Sequence, residues 1–253
     1  MPKRKRTKKD AFEHSNKAAD ITTTLSDNKN NAVELDLRGH AKTTDELKLY
    51  LREQCNNNNK EAERCVSIKT DLFPRGCMQV LLDYAADQGM HVQSFQNVYG
   101  KVYKYHLQNP DLKALVQSHG KWLTHLRMTP SEEDEVPAPK LQGCGYRRTA
   151  LYATNLRVLE LSLKYDIKRQ LLDFTRRNPL QVEYLREIIL WGVDRNNTTT
   201  REQLIAFIRK AKALQRLVLH DVLEKEEKDL RLFLSRIARE AGNEALKVEV
   251  YAA

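Results

Sequence analysis

The chain has 253 residues, a formal net charge of +9 at pH 7 and 30% charged residues. It contains no run of eighteen apolar residues, which excludes a helix crossing a membrane. The N-terminus MPKRKRTKK lacks the apolar stretch of a secretory signal, so the nucleus is the expected location, with the cytoplasm as the alternative. Cys55, Cys65, Cys77 and Cys144 form no CxxC pair and no zinc-ligand spacing with histidine, so they read as reduced thiols without a metal.

Taken in chain order, the charge comes first. Six of the nine net positive charges sit on Lys3, Arg4, Lys5, Arg6, Lys8 and Lys9, with no acid among residues 1–9. A duplex-binding body concentrates cations on its folded surface, whereas this chain concentrates them on a tail. Residues 1–30 hold few large apolar side chains and are expected to be a disordered basic tail. That tail reads as a nuclear-localisation patch or as a weak phosphate-binding arm for nucleic acid, against the alternative of a solvated tail with neither role.

Residues 31–253 carry a repeat of about eight units. The clearest copies are LRVLEL from Leu156, LREIIL from Leu185 and LQRLVL from Leu214, each fitting L-x-x-L-x-L and spaced 29 residues apart. A further step of 29 reaches Asn243, with Leu246, Val248 and Val250 in place of the leucines. Upstream, LTHLRM supplies Leu123, Leu126 and Met128, 33 residues before Leu156, a gap lengthened by the acidic, proline-rich insertion TPSEEDEVPAPK at 129–140. Weaker units start at Ala32 (Leu35, Leu37), Glu63 (Val66, Ile68) and Val92 (Phe95).

The L-x-L alternation puts both apolar residues on one face of a strand. Between the strands lie helical stripes: Ile167, Leu171 and Phe174; Leu204, Phe207, Ile208 and Ala211; Leu230, Leu234 and Ile237. Thr200 with Gln203 is the expected cap of the second stripe. One strand–helix unit cannot bury its own apolar face, so units must stack. Because a helix returns the chain after each strand, the strands must pair in parallel. The expected fold is α/β, a curved solenoid with parallel strands on the concave face and helices on the convex face. The competing doubly wound α/β fold needs a glycine-rich phosphate loop, and with nine glycines none is visible.

These L-x-x-L-x-L units at 29-residue spacing resemble the ribonuclease-inhibitor-like class of leucine-rich repeats, from about residue 32 to 251. That class includes the repeat regions of F-box substrate receptors and of GTPase-activating proteins for Ran. The resemblance implies a horseshoe-like solenoid that recognises proteins on its concave surface. No F-box is visible before the repeats. The Asn or Cys that the class usually places in the ninth position is Val193 in one unit and Val222 in the next.

If the leucines face the core, the residues between them face the other side of the sheet. Aligned by unit, these are Val158, Glu160 and Ser162; Glu187, Ile189 and Trp191; Arg216, Val218 and His220; Lys247, Glu249 and Tyr251. Ladders of Glu160, Ile189, Val218 and Lys247, and of Ser162, Trp191, His220 and Glu249, are expected. Ile189, Trp191 and Val218 form an exposed apolar patch in this reading, and such patches mark interaction sites. The expected partner-binding set is Ile189, Trp191, Arg216, Val218, His220 and Tyr251, extended by Arg127 and His125. His220 beside Glu249 lacks a nucleophile or metal partner in the pattern, so the chain is read as a non-enzymatic adaptor with no cofactor. GTPase activation or a ubiquitin-pathway role follows only from family analogy. Glu34, Asp36 and Arg38 guard the first strand edge, while the edge of the last strand, LKVEVY, is expected to dock a partner strand or a second copy.

Overall fold

The computed structural model describes residues 33–39, 42–55, 64–71, 74, 76–99, 109–130, 153–162, 184–191, 198–222 and 224–252. The chain divides into two units, residues 1–32 and Val33–Ala253. The basic tail, the helical stripe at Ile167–Phe174 and most of the proline-rich insertion lie outside the described residues.

In chain order the elements are β1 (Val33–Asp36), α1 (Thr44–Cys55), β2 (Arg64–Thr70), α2 (Cys77–Asp87), β3 (Met90–Tyr99), α3 (Asn109–His119), β4 (His125–Pro130), β5 (Val158–Ser162), β6 (Glu187–Trp191), α4 (Thr198–Lys210), β7 (Arg216–Val222), a 3-10 turn (Glu224–Glu226), α5 (Glu227–Glu240) and β8 (Lys247–Ala252). The eight strands form one sheet in the order β1 to β8, every pairing parallel. Strand order never reverses, so the sheet has no switch point of the doubly wound kind.

One hydrophobic cluster joins a single face of the sheet to the helices. Leu126, Leu159, Ile188, Leu217 and Val248 follow one another across adjacent strands, and Leu81, Leu115, Leu204, Phe207, Leu230 and Leu234 meet that face from the helices. The 3.6-residue stripe on each helix and the two-residue alternation on each strand therefore point at the same core.

Local chemistry fixes where the helices start and stop. Thr43 caps α1, its hydroxyl accepting the Glu46 N–H at 3.1 Å while the Glu46 carboxylate accepts the Lys42 N–H at 3.0 Å. The expected cap at Thr200 is displaced: α4 already begins at Thr198, so Thr200 sits inside its first turn. α5 ends in a Schellman turn, with Gly242 at φ 75° and the N–H groups of Gly242 and Asn243 bonded to Arg239 and Ala238 carbonyls. The Asn243 side chain then donates to the Leu214 carbonyl at 2.8 Å, tying this turn to the one before it. Asn155 makes the equivalent tie to the Lys121 carbonyl.

Register corrects the expected alignment at both ends of the sheet. Leu35 pairs with Ile68 rather than Val66, and Val66 pairs with Val92 rather than Phe95. Leu217 pairs with Val248 rather than Leu246, so the last unit is two residues longer than the leucine count implied. The sheet also carries two bulges, each beyond the pair whose register differs. One lies in β3 opposite Val66 and Ser67, the other in β7 between Leu219 and Val222. In the second, Asp221 takes φ 61°, and the extra residue swings Val222 into the core, where it is fully buried. Asn97 occupies a buried core position between Thr70 and Met128 where the repeat calls for leucine, and its amide donates to the Thr70 carbonyl at 3.4 Å. β4 runs to Pro130, so the first two residues of the expected insertion, Thr129 and Pro130, are strand.

The core makes a direct prediction. Leu217→Ala, at a fully buried position between Ile188 and Val248, is expected to cost about 2–5 kcal/mol in urea denaturation. Leu232→Ala, on the exposed face of α5, is expected to cost less than about 0.5 kcal/mol.

Candidate functional site

Strand alternation places a second set of side chains on the sheet face away from the core, and across β4–β8 they form a connected array. In one row Arg127, Glu160, Ile189, Val218 and Glu249 stand in register. In the row before it stand His125, Val158, Glu187, Arg216 and Lys247. The expected ladder partners are thus corrected: Val218 faces Glu249, and Lys247 faces Arg216.

Ion pairs link the two rows. Arg216 forks onto Glu249, with Nη2 to Oε2 at 2.9 Å and Nε to Oε1 at 3.2 Å, and its Nη1 reaches Glu187 Oε1 at 2.8 Å. Glu249 also receives Lys247 Nζ at 2.8 Å and the Tyr251 hydroxyl at 2.9 Å. Glu160, nearly fully buried, accepts the Trp191 indole N–H at 2.8 Å and lies 3.9 Å from Arg127. A bidentate guanidinium–carboxylate pair shared with a second carboxylate is geometrically exacting, so Arg216 sets the spacing of β6, β7 and β8 side chains at once.

Above the ion pairs runs a stack of rings, one per strand. Trp191 and His220 lie 3.7 Å apart at 6°, and His220 and Tyr251 lie 5.0 Å apart at 15°. Each stacked pair contributes on the order of 0.5–1.5 kcal/mol beyond area burial. The adjacent strands supply the spacing, since parallel strands sit at about the separation of stacked rings.

The structure brings together seven of the eight expected binding residues and sets one apart. Trp191, His220 and Tyr251 form the stack, Arg216 is the ion-pair centre, and Arg127 pairs with Glu160, which holds the Trp191 indole. Ile189 and Val218 stand in the row between Glu160 and Glu249. Ile189 and Val218 are not exposed, at 7% and 2%, and Trp191 is half-buried. The physical reason is that each stands inside a row, Ile189 between Glu160 and Val218, and Val218 between Ile189 and Glu249, with a side chain on both neighbouring strands. What this face exposes includes the Tyr251 ring and the Lys247 side chain rather than an open patch of Ile189 and Val218. His125 stands apart from the stack, with its Nδ1 2.8 Å from the Thr124 hydroxyl. The anchoring carboxylates Glu160, Glu187 and Glu249 were not among the expected binding residues. Their signal was present as opposite charges at matching positions of successive units, Glu187 against Arg216.

Burial controls protonation here. It would raise the Glu249 carboxyl, but hydrogen bonds from Arg216, Lys247 and Tyr251 pull it down to about 2. Burial lowers His220 to about 4, with Arg216 adding and Asp221 and Glu249 opposing. Burial likewise lowers His125 to about 4, helped by Arg127 and Arg157. His220 is therefore a neutral stacking ring near neutral pH.

A second cluster sits where α2 and α3 meet the start of β3. His91 stacks on Trp122 at 3.7 Å, and the ring of buried His119 accepts the Val92 N–H at 3.4 Å through Nδ1. They border a cavity of about 530 Å³ with Gln79, Asp83 and Gln117. Among the described residues no three histidine, cysteine or acidic side chains group to hold a metal ion, and Cys65 and Cys77 are free thiols. Burial, with Asp111 nearby, pushes the Cys77 thiol up to about 11.

These shifts predict a two-step acid limb. For His125 and His220 the folded values lie below the ordinary 6.5, so their contribution is present above pH 6.5 and is lost as pH falls toward 4. Glu249 contributes above pH 4.5 and loses that contribution as pH falls toward 2. In denaturant melts across pH, H125Q/H220Q is expected to flatten the upper step and E249Q the lower one.

Compared with protein-family models and with curated proteins, the chain finds no match.

Proposed function

We propose that the chain is a leucine-rich-repeat solenoid of the ribonuclease-inhibitor-like class, and that it works as a non-enzymatic adaptor holding a protein partner on its strand face. Supporting the first half are the sequential parallel sheet, the L-x-x-L-x-L units whose apolar residues line one core, and the asparagine ties between successive turns. In this reading the strand face is the concave one. The basic tail carrying Lys3, Arg4, Lys5, Arg6, Lys8 and Lys9 directs the protein to the nucleus.

The observation that carries the binding role is the preorganised array over β5–β8. Trp191, His220 and Tyr251 are held in line, and Arg216 and Lys247 are held over Glu249, before any partner arrives. Ordered aromatic and arginine side chains reduce the entropy lost on binding, and these residue types dominate interface energetics. The cations are matched by buried acids, which gives a surface of defined shape with little net charge and favours a protein over a polyanion.

The test is affinity capture from nuclear extract by the full chain, followed by direct titration of the recovered partner. Trp191→Ala and Arg216→Ala are each expected to weaken the partner about tenfold or more, with thermal melts confirming that the variants fold. Unchanged affinity in both would remove the β5–β8 face from the binding role.

A further inference from the structure

The cleft between α2 and α3 shares no residue with the strand-face array. Its walls follow from helical spacing. Gln79, Leu82, Asp83 and Ala86 stand at i, i+3, i+4 and i+7 on α2, and Ala114, Gln117 and Ser118 at i, i+3 and i+4 on α3. Ala86, Ala114 and Ser118 are small, so little side chain fills the space between the helices. The cleft holds about 530 Å³, within the range of about 300–1,000 Å³ usual for small-molecule sites. Asp83 and Gln117 are exposed at its mouth, and Leu82, Met90 and His119 are buried at its closed end. Trp122, also in the lining, is clamped. His91 stacks on it at 3.7 Å and Lys121 Nζ lies 3.8 Å from its ring centre, distances that put the two on opposite faces.

One buried group at the closed end is unsatisfied. His119 is 6% exposed, and its Nδ1 accepts the Val92 N–H. Burial, with His91 nearby, lowers its pKa and keeps the ring neutral near pH 7, so the remaining ring proton sits on Nε2. Among the described residues no acceptor meets that Nε2–H, and the side chain lines the cleft. The mouth has the opposite polarity. Asp83 accepts one hydrogen bond, from Gln79 at 2.7 Å, and among the described residues no cation pairs with it. Ala86 and Ser118 lie in the last turns of α2 and α3, so the negative ends of both helix dipoles meet the cleft. No lysine or arginine lines it among the described residues.

We infer that this cleft binds a small organic cation, an ammonium group on an apolar body that carries a neutral hydrogen-bond acceptor at its far end. The ammonium pairs with Asp83, the body covers Leu82, Met90 and Ala114, and the acceptor takes the His119 Nε2–H. An anion would face Asp83 and both helix ends. A metal ion would lack ligands, since no three histidine, cysteine or acidic side chains group among the described residues. A lysine or arginine side chain of a partner would enter charge first and set that charge against the His119 donor. A free small molecule meets both polarities.

The test uses the full chain and three probes: tyramine, para-ethylphenol, which lacks the ammonium, and phenethylamine, which lacks the hydroxyl. Affinity is read by calorimetry and the site by the two tryptophan indole N–H signals in NMR spectra. Tyramine is expected to bind saturably and to shift the Trp122 signal while Trp191 stays in place. Para-ethylphenol is expected to bind about tenfold or more weakly, the increment of a charged hydrogen bond, and phenethylamine about two- to tenfold more weakly, the increment of a neutral one. Asp83→Asn should erase the preference for tyramine over para-ethylphenol. His119→Phe should erase the preference over phenethylamine. Ala114→Leu, which fills the cleft, should abolish binding of all three, with thermal melts confirming that each variant folds. Equal affinity for tyramine and para-ethylphenol, an unmoved Trp122 signal at saturation, or full binding by Ala114→Leu would each overturn the inference. So would a shift of Trp191 in place of Trp122, which would put the cation on the strand face. Trp191→Ala and Arg216→Ala should leave tyramine binding unchanged, so the cleft and the protein-binding face are tested apart.

Discussion

Parallel pairing in strict sequence order is the constraint from which the rest of this structure follows. A strand can lie parallel to its predecessor only after the chain has travelled back along the sheet, and between β1 and β4 and between β6 and β8 the described helices make that journey. Because each strand pairs with the next one in sequence, equivalent positions of successive units become neighbours in space. The side chain at one position in a unit meets the side chain at the same position in the next. The core uses this to place Leu159, Ile188, Leu217 and Val248 side by side. The opposite face uses it to place unlike charges and like rings side by side.

On that face the charges stabilise by matching rather than by number. Glu187, Arg216 and Glu249 occupy three consecutive strands, so the guanidinium lies between two carboxylates. Half-buried ions of this kind cost solvation, and only near-ideal geometry offsets that cost. The fork of Arg216 on Glu249, closed by Lys247 and the Tyr251 hydroxyl, supplies such geometry. The array also fixes three strands relative to one another on the face that no described helix supports. Removing a single member would leave a half-buried charge without its partner.

The periodicity was legible where the leucines were spaced without interruption. From Phe95 to Leu217 the apolar residues pair as their spacing indicated, through Leu126, Leu159 and Ile188. It failed at the ends, where units of other lengths shift the pairing, so that Leu35 meets Ile68, Val66 meets Val92 and Leu217 meets Val248. Nothing in VQSF announces an extra residue, and nothing in LHDV announces that Asp221 turns left-handed. The binding face was legible as positions but not as exposure. Alternation places Ile189 and Val218 on that face, yet both are buried there, flanked by side chains on the two neighbouring strands. Asn97 was hidden for a related reason: an amide in a leucine position looks like a break in the pattern until its bond to Thr70 is seen.

The unequal spacing of the last units has a consequence for how such a chain tolerates change. Ile188 to Leu217 spans 29 residues and Leu217 to Val248 spans 31, yet β8 keeps its apolar residues on the core side. A stack of this kind does not require every unit to have the same length. Insertions and deletions between strands can accumulate over generations, provided that each strand resumes with its apolar residues on the core side. The array thereby separates the drift of its loops from the fidelity of its sheet, and single units are free to lengthen while the strip of rings and ions above them keeps its spacing.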